Sequence, residues 1–144
     1  MNEEFLGLAQ VCLYVSDIER SKQFYLKNLG FHLVHELNYH VTEAMNLPCG
    51  ERDVTISYID LGSFRMELFE VPNIVRQCDS IIDHICLKVN NLDEIVSRLK
   101  KNGIQFESEV PGTGNYPIGK TCKWILFRGP DGEHLELTEI FPKP

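Results

Sequence analysis

Gln10-Val-Cys-Leu-Tyr-Val-Ser-Asp17 and His84-Ile-Cys-Leu-Lys-Val-Asn-Asn91 are two versions of one pattern, and this repeat decides the fold. The two segments align without a gap, and their apolar residues coincide. Alternation of apolar and other residues is typical of a strand with one buried face. Each segment ends at a residue, Asp17 or Asn91, whose side chain can cap a following helix. The sequence therefore predicts the same strand-to-helix unit twice.

Each half continues in the same order after its first strand. Apolar residues at helical spacing predict helices over 18–29 and 92–101, and Gly30 and Gly103 follow where a helix ends in a left-handed residue. Three further strands are expected in each half, at 31–37, 54–60 and 64–71 and at 104–108, 123–127 and 133–140. Residues 39–52 and 110–121 are predicted to be long loops, the second long enough to cover a ligand.

The order of elements is β-α-β-β-β in both halves, which predicts an α+β fold. One such module is too small to bury its own sheet face. We therefore expect tandem modules that form a cupped mixed or antiparallel sheet, with the helices on its outer face. Residues 1–144 are then a single domain, with module 1 at about 7–71, a linker at 72–82 and module 2 at about 83–141.

Composition excludes several classes of function. The 144 residues include 14 Lys and Arg against 21 Asp and Glu, a net charge of −7 that argues against nucleic acid as a partner. The sequence contains no apolar run long enough to span a membrane, and its first residues do not resemble a signal peptide. Its five cysteines form no C-x-x-C pair, so we expect reduced thiols and a cytoplasmic location.

Four polar side chains are predicted to project from the sheet face that lies away from the helices. Alternate residues of a strand point to opposite faces, and the apolar residues define the helix-packed face. Gln10 and Glu67 then lie on the other face in the first half, and His84 and Glu136 lie there in the second. Beside them at matching positions stand two cysteines that we expect to be small buried side chains rather than nucleophiles, Cys12 and Cys86.

An imidazole, an amide oxygen and two carboxylates form a suitable nitrogen and oxygen ligand set for Zn²⁺, Ni²⁺, Co²⁺ or Fe²⁺. The two carboxylates would also offset the charge of the dication. The alternative is a solvated surface, because an antiparallel sheet with one open side normally carries polar residues there. Residue spacing alone leaves both interpretations open, although the repeat favours a metal site.

Four motifs resemble the vicinal-oxygen-chelate superfamily, which includes glyoxalases, bleomycin-resistance proteins and extradiol dioxygenases. They are residues 13–31, Arg65-Met-Glu-Leu68, Asp83-His-Ile-Cys-Leu-Lys-Val89 and Gly129-Pro-Asp-Gly-Glu-His-Leu-Glu-Leu137. The resemblance extends over about residues 8–140. Within the superfamily, the pattern is most similar to glyoxalase I, the lactoylglutathione lyase.

This resemblance implies that Gln10, Glu67, His84 and Glu136 bind a divalent metal ion, whether Zn, Ni, Co, Fe or Mn. Glu136 would be the catalytic base, with Glu67 as its symmetry mate. The implied reaction moves a proton next to a carbonyl that the metal polarises, through an enediolate. The expected substrate is a small molecule, the adduct of a 2-oxoaldehyde with a thiol.

The resemblance also suggests substrate contacts. Lys120 falls where some glyoxalases I place a basic residue against the anionic end of the substrate. Tyr14 and Phe69 are aromatic side chains on the same predicted face as the ligands and are further candidates. An arginine and an asparagine that hold glutathione in glyoxalase I are replaced here by Tyr14 and Val71.

Two other functions stay open at this point. An epimerase or isomerase of the same superfamily would use the same metal and base on another carbon acid, such as an acyl thioester. A non-catalytic binding protein of the bleomycin-resistance type would trap a ligand without turnover. In either case the short linker favours a homodimer, and in this family that arrangement commonly combines Gln10 and Glu67 of one chain with His84 and Glu136 of the other.

Overall fold

The computed structural model describes residues 8–45, 49–73, 84–116 and 119–142. The chain divides into two compact units, Met1–Arg76 and Gln77–Pro144. The boundary between the units falls inside the segment 72–82 that the sequence predicts as a linker. That the two modules form a single domain stays a prediction.

Among the described residues, each unit contains one α-helix and four strands. The first unit contains β1 (Val11–Val15), α1 (Ile18–Gln23), β2 (His32–Val41), β3 (Arg52–Leu61) and β4 (Phe64–Glu70). A π-helical segment, Phe24–Asn28, continues α1, and a 3-10 turn, Glu43–Met45, follows β2. The second unit contains β5 (Ile85–Lys88), α2 (Leu92–Lys101), β6 (Gly112–Tyr116), β7 (Lys120–Arg128) and β8 (His134–Pro142).

The two sheets have the same topology. Their strand orders are β1-β4-β3-β2 and β5-β8-β7-β6. In each sheet the first strand pairs in parallel with the last strand of its unit, and the other pairs are antiparallel. The predicted α+β fold with mixed sheets and repeated β-α-β-β-β modules is therefore confirmed.

The sheet face that the apolar alternation predicted carries part of the core of each unit, and a second buried cluster of the first unit lies on the opposite face around Phe69. Val15 and Leu68 are fully buried in the first unit, and Leu135 is fully buried in the second. Helix α1 packs against β3 and β4, and α2 packs against β8. Residues 10, 12, 67 and 69 and their counterparts in the second unit have the opposite strand parity, so their side chains project from the other face.

The helix boundaries follow local sequence, with one correction at a cap. Asp17 accepts a hydrogen bond from the backbone N–H of Arg20 (3.0 Å), as predicted. The predicted Asn91 side-chain cap is wrong, because Asn91 has a left-handed backbone (φ 56°) and makes no capping bond. The Glu139 carboxylate takes that role instead, accepting from the backbone N–H groups of Asn91 (3.1 Å) and Leu92 (2.9 Å).

The strands of the second unit differ from the prediction at one place. Residues 104–108 do not form a strand and contribute only an isolated bridge between Phe106 and Phe127. The outer strand β6 lies instead at Gly112–Tyr116, inside the predicted loop 110–121. Gly112 has a packing reason, because a Cβ at this position would lie 2.5 Å from Cζ2 of Trp124. In the first unit β2 is also longer than predicted and reaches Val41.

Among the described residues, no helix is long and apolar enough to cross a membrane.

Candidate metal centre

The first unit brings Gln10 and Glu67 together. Gln10 immediately precedes β1, and Glu67 lies near the middle of β4, the strand with which β1 pairs in parallel. In this register Cys12 is opposite Glu67, so Gln10 and Glu67 project from the same sheet face. The Gln10 side-chain amide donates a hydrogen bond to Oε2 of Glu67. The predicted pair is therefore in direct contact.

The second unit brings His84 and Glu136 together in the equivalent way. His84 immediately precedes β5, which pairs in parallel with β8 and sets Cys86 opposite Glu136. Nε2 of His84 lies 3.3 Å from Oε2 of Glu136. The other carboxylate oxygen, Oε1, accepts a hydrogen bond of 2.5 Å from the hydroxyl of Thr138.

Each unit thus provides two of the four predicted ligands. In residues 8–45, 49–73, 84–116 and 119–142, no group of three or more His, Cys, Asp and Glu side chains forms a metal site. The donor chemistry of both pairs nevertheless suits a divalent cation, since carboxylate oxygens and imidazole nitrogen are common ligands of such metals. That the two pairs share one ion stays a prediction.

The surroundings of Glu67 disfavour its charged form. Desolvation raises the pKa of Glu67, and the hydrogen bond from Gln10 opposes that effect. The same environment raises the pKa of the Cys12 thiol to about 11, mainly by desolvation and then by the negative charge of Glu67. Desolvation followed by Glu67 also raises the pKa of Tyr58, whose strand position faces Glu67.

The two cysteines beside the ligands differ from their prediction. Cys12 and Cys86 were expected to be buried, yet both are exposed on the sheet face. The thiol of Cys86 donates to Oγ1 of Thr138 (3.3 Å) and approaches Oε1 of Glu136 (3.5 Å). Desolvation is the main cause that raises its pKa. A raised thiol pKa disfavours the nucleophilic thiolate form. That neither cysteine is a nucleophile stays a prediction.

Tyr14 and Phe69 form an aromatic pair on the same face as Glu67. Their ring centroids are 5.3 Å apart at an interplanar angle of 77°. Phe69 is only 5% exposed and belongs to an apolar cluster with four other buried side chains, Val41, Val54, Ile56 and Val71. Both positions at which glyoxalase I would hold glutathione, Tyr14 and Val71, are therefore engaged in packing. A substrate contact by Tyr14 or Phe69 stays a prediction.

Lys120 begins β7 and is exposed. It lies two residues after position 118, and residues 117–118 are outside the described part of the chain. Its proposed contact with substrate is untested by this geometry. His134 lies close to the second pair, with its ring centroid 6.0 Å from that of His84, and its Nε2 is 3.0 Å from Oε1 of Glu107.

Sequence reasoning missed Thr138, Glu70 and Glu139 as supporting residues. Thr138 is buried against the Glu136 carboxylate, and Glu70 accepts a hydrogen bond from the backbone N–H of Ile18 (2.7 Å). Glu70 and Glu139 stand at equivalent places, each three residues after a predicted ligand. The repeated Glu-x-x-Glu spacing at 67–70 and 136–139 was the signal that could have identified the two carboxylate caps.

Comparison with known protein sequences gives relatives over nearly the whole chain. The uncharacterized protein YwkD of Bacillus subtilis (strain 168) is 29% identical over 137 residues, which cover 92% of this chain and 96% of that protein. The mitochondrial methylmalonyl-CoA epimerase of Homo sapiens is 30% identical over 131 residues, which cover 85% of this chain and 66% of the epimerase.

Solved structures share the fold. A glyoxalase family protein from Bacillus cereus superposes with a TM-score of 0.73 at 23% identity, covering 96% of this chain and 97% of that one. The trypanothione-dependent glyoxalase I of Leishmania major gives a TM-score of 0.64 at 19% identity, covering 91% and 84%. The family model of the glyoxalase/bleomycin resistance protein/dioxygenase superfamily matches residues 7–137. The chain therefore belongs to this superfamily, as its repeated motifs predicted.

Proposed function

We propose that this chain is a metal-dependent enzyme that moves a proton on a carbon atom next to a carbonyl group. One observation supports this function above all others, namely the repeated pairing of candidate ligands. Gln10 contacts Glu67 and His84 contacts Glu136 at equivalent places of two units with the same topology. A merely solvated face gives no reason for the same pairing to occur twice.

The four side chains Gln10, Glu67, His84 and Glu136 would hold a divalent ion such as Zn, Ni, Co, Fe or Mn. When bound, that ion would act as a Lewis acid and stabilise negative charge on the carbonyl oxygen of the substrate. Gln10 and His84 carry no proton in the reaction and serve to bind the metal. Because either half alone provides two ligands, we propose that the pairs combine in a homodimer or within one chain.

In this proposal a carboxylate is the general base that transfers the proton. One of the two carboxylates, Glu136 or its symmetry mate Glu67, takes the proton from the carbon next to the carbonyl. In an epimerisation the other carboxylate then delivers a proton to the opposite face of that carbon, whereas in a lyase-like reaction the first returns it to the neighbouring carbon. An ordinary glutamate with a pKa of about 4.3 is a weak base for this task, and enzymes commonly shift such groups to about 6–7. Desolvation raises the pKa of Glu67 in the metal-free protein, and the positive charge of a bound dication would oppose that shift.

The substrate class that we favour is an acyl thioester with an acidic carbon, on which return of the proton to the opposite face is an epimerisation. The methylmalonyl-CoA epimerase relative supports this choice, because it is 30% identical to the chain over 131 residues. The packing of Tyr14 against Phe69 and the burial of Val71 also leave those positions unsuited to hold glutathione.

A lactoylglutathione lyase-like activity is the second candidate. In that reaction the proton returns to the neighbouring carbon of a 2-oxoaldehyde thiol adduct. The resemblance of the ligand pattern to glyoxalase I supports it. Both candidates share the metal and the base, so they differ only in the substrate that the pocket accepts.

Metal analysis and solvent-exchange measurements test the proposal together. Purified untagged protein is analysed for bound metal, loaded with Co²⁺, Ni²⁺ or Zn²⁺, and incubated in D₂O with methylmalonyl-CoA or with methylglyoxal plus glutathione. We expect deuterium at the carbon next to the carbonyl with one substrate only. In the variants Glu136→Gln and Glu67→Gln the rate should fall by about 10²–10⁴-fold, whereas Glu94→Gln on the exposed surface of α2 should leave it unchanged.

Two results would contradict this function. Protein that neither retains nor takes up a divalent metal has no metal centre of the proposed kind. Protein that binds metal and a substrate without exchanging any proton is instead a binding protein of the bleomycin-resistance type.

A further inference from the structure

Thr138 holds the carboxylate of Glu136 in the second unit. It follows Glu136 by two residues on β8, so both side chains project from the same sheet face. Its hydroxyl donates a hydrogen bond of 2.5 Å to Oε1 of Glu136, and the residue is only 3% exposed. A short bond from a buried hydroxyl to a carboxylate oxygen fixes the orientation of that carboxylate more firmly than contact with solvent does.

The direction of this bond follows from its acceptor, because an ionised carboxylate has no hydrogen to donate. The Cys86 thiol donates to Oγ1 of Thr138 at 3.3 Å and also lies 3.5 Å from Oε1 of Glu136, so it packs beside both oxygens of this hydrogen bond. With Oε1 of Glu136 held in this way, Oε2 is the oxygen that lies 3.3 Å from Nε2 of His84. The contacts therefore distinguish the two oxygens of one carboxylate.

The described part of the first unit has no counterpart of this arrangement. The place equivalent to Thr138, two residues after Glu67, is occupied by Phe69, which has no hydroxyl and packs in the apolar cluster. Glu67 accepts its hydrogen bond from the Gln10 amide instead. The two carboxylates of the repeat consequently differ in how they are held.

We infer that Thr138 is a positioning residue that turns Glu136 so that Oε2 is presented, together with His84, to a divalent cation. This inference rests on the proposed function, since it assumes that Glu136 is a metal ligand. Hydrogen-bond partners of metal-binding carboxylates orient the ligand before the metal arrives, and their removal typically costs about 10- to 100-fold in metal affinity. Thr138 is expected to have an effect of this size.

Titration of the full-length, metal-free protein with Co²⁺ alone tests this role. Binding is followed by calorimetry and by the visible absorption of the bound ion, for wild type, Thr138→Val and Thr138→Ser. Thr138→Ala replaces the valine variant if that protein does not fold. Thr55→Val is the matched control, because the Thr55 hydroxyl donates to Asn38 (3.2 Å) in the other unit. Thermal unfolding of each metal-free variant separates loss of affinity from loss of stability.

We expect Thr138→Val or Thr138→Ala to weaken Co²⁺ binding by about 10- to 100-fold and to change the absorption spectrum, whereas Thr138→Ser and Thr55→Val bind like wild type. Equal affinity of wild type and the variants without the hydroxyl would overturn the inference and leave the proposed function intact. Equal weakening by serine and valine would also overturn it, because packing rather than the hydroxyl would then be responsible. Wild-type protein that binds no Co²⁺ would overturn the proposed function and the inference with it.

Discussion

Glu70 and Glu139 occupy equivalent places in the two units, and each carboxylate accepts hydrogen bonds at the N-terminus of the helix of its own unit. Glu70 accepts from the backbone N–H of Ile18, and Glu139 accepts from those of Asn91 and Leu92. These N–H groups lie at the start of the helix and have no carbonyl partner within it. A carboxylate there accepts their hydrogen bonds, and its negative charge interacts favourably with the positive end of the helix dipole. The strand that carries the glutamate ligand of each unit, Glu67 or Glu136, therefore also holds the helix of that unit in place.

Replacement of Glu139 should destabilise the second unit. Glu139→Ala leaves the two backbone N–H groups without their acceptor, and we expect the free energy of unfolding to fall by about 1–2 kcal/mol. Glu139→Gln keeps an oxygen acceptor and should cost less. Urea denaturation followed by circular dichroism gives these values, with Glu109→Ala as the control on an exposed loop. Equal stability of Glu139→Ala and wild type would mean that solvent replaces the carboxylate without cost.

Any side chain added at Gly112 should lower the stability of the protein, because the indole of Trp124 lies against its Cα. In Gly112→Ala the new Cβ would lie 2.5 Å from the ring, so either β6 or the indole must move. We expect a loss of about 1–3 kcal/mol in the free energy of unfolding, as for other overpacked sites.

Gly114→Ala is the matched control for this prediction. Its Cβ would lie at an ordinary 3.6 Å from the same ring, so its stability should stay within about 1 kcal/mol of wild type. Both variants are compared by urea denaturation. If the two alanines had the same effect, close packing of Trp124 would not be the reason for glycine at position 112.

Glu36 should make stability depend on acidic pH. The Lys22 ammonium, followed by the buried Ser57 hydroxyl, lowers the pKa of Glu36, and both groups lie 2.6 Å from its Oε2. A lowered folded pKa means that the contribution of Glu36 is present above the unfolded value of about 4.3 and is lost as pH falls through the folded value. Glu36→Gln should therefore be about 0.5–1 kcal/mol less stable than wild type at neutral pH.

The same difference should shrink as the pH is lowered. Denaturation midpoints of wild type and Glu36→Gln are measured from about pH 7 to about pH 3, and the two curves should converge at the acidic end. A gap that stays constant over this range would show that the charge of Glu36 is not what stabilises its contact with Lys22.

Complementation tests whether two chains share each proposed metal site. One variant carries Gln10→Ala with Glu67→Ala, and the other carries His84→Ala with Glu136→Ala, so that neither alone has a complete ligand set. If each site takes one pair from each protomer, random coexpression restores about a quarter of the sites, because half of the dimers are mixed and one of their two sites is intact. Metal content and activity after coexpression give the fraction restored. Sites within one chain would give no recovery.

Local chemistry made most of the fold predictable from the sequence. Gly30 and Gly103 end their helices with positive φ angles of 76° and 85°, a conformation that favours glycine, and α2 has the predicted bounds Leu92–Lys101. The wrong predictions lie where a residue distant in sequence determines the local structure. The cap of α2 comes from Glu139, which is 47 residues from Leu92 in sequence, so Asn91 is free to adopt a left-handed backbone.

The strand β6 was missed for a related reason. Gly112 and Gly114 give the segment the composition of a loop, and the need for glycine becomes visible only when Trp124 packs against it. The candidate site also has one part that the sequence predicts and another part that it does not. Strand parity was enough to predict that Gln10 and Glu67, like His84 and Glu136, lie on the same sheet face, whereas their contacts depend on the parallel strand pairs. The support from Thr138 likewise depends on which hydroxyl reaches a carboxylate in three dimensions.

Trp124 is the single tryptophan of the chain, and it lies in the second unit against β6. Its fluorescence therefore reports on one unit alone, whereas circular dichroism averages over the helices and strands of both. Denaturation curves from the two signals coincide when the halves unfold together and separate when one of them melts first. The indole of Trp124, packed over Gly112, is therefore an intrinsic fluorescence probe of whether the two repeats unfold cooperatively.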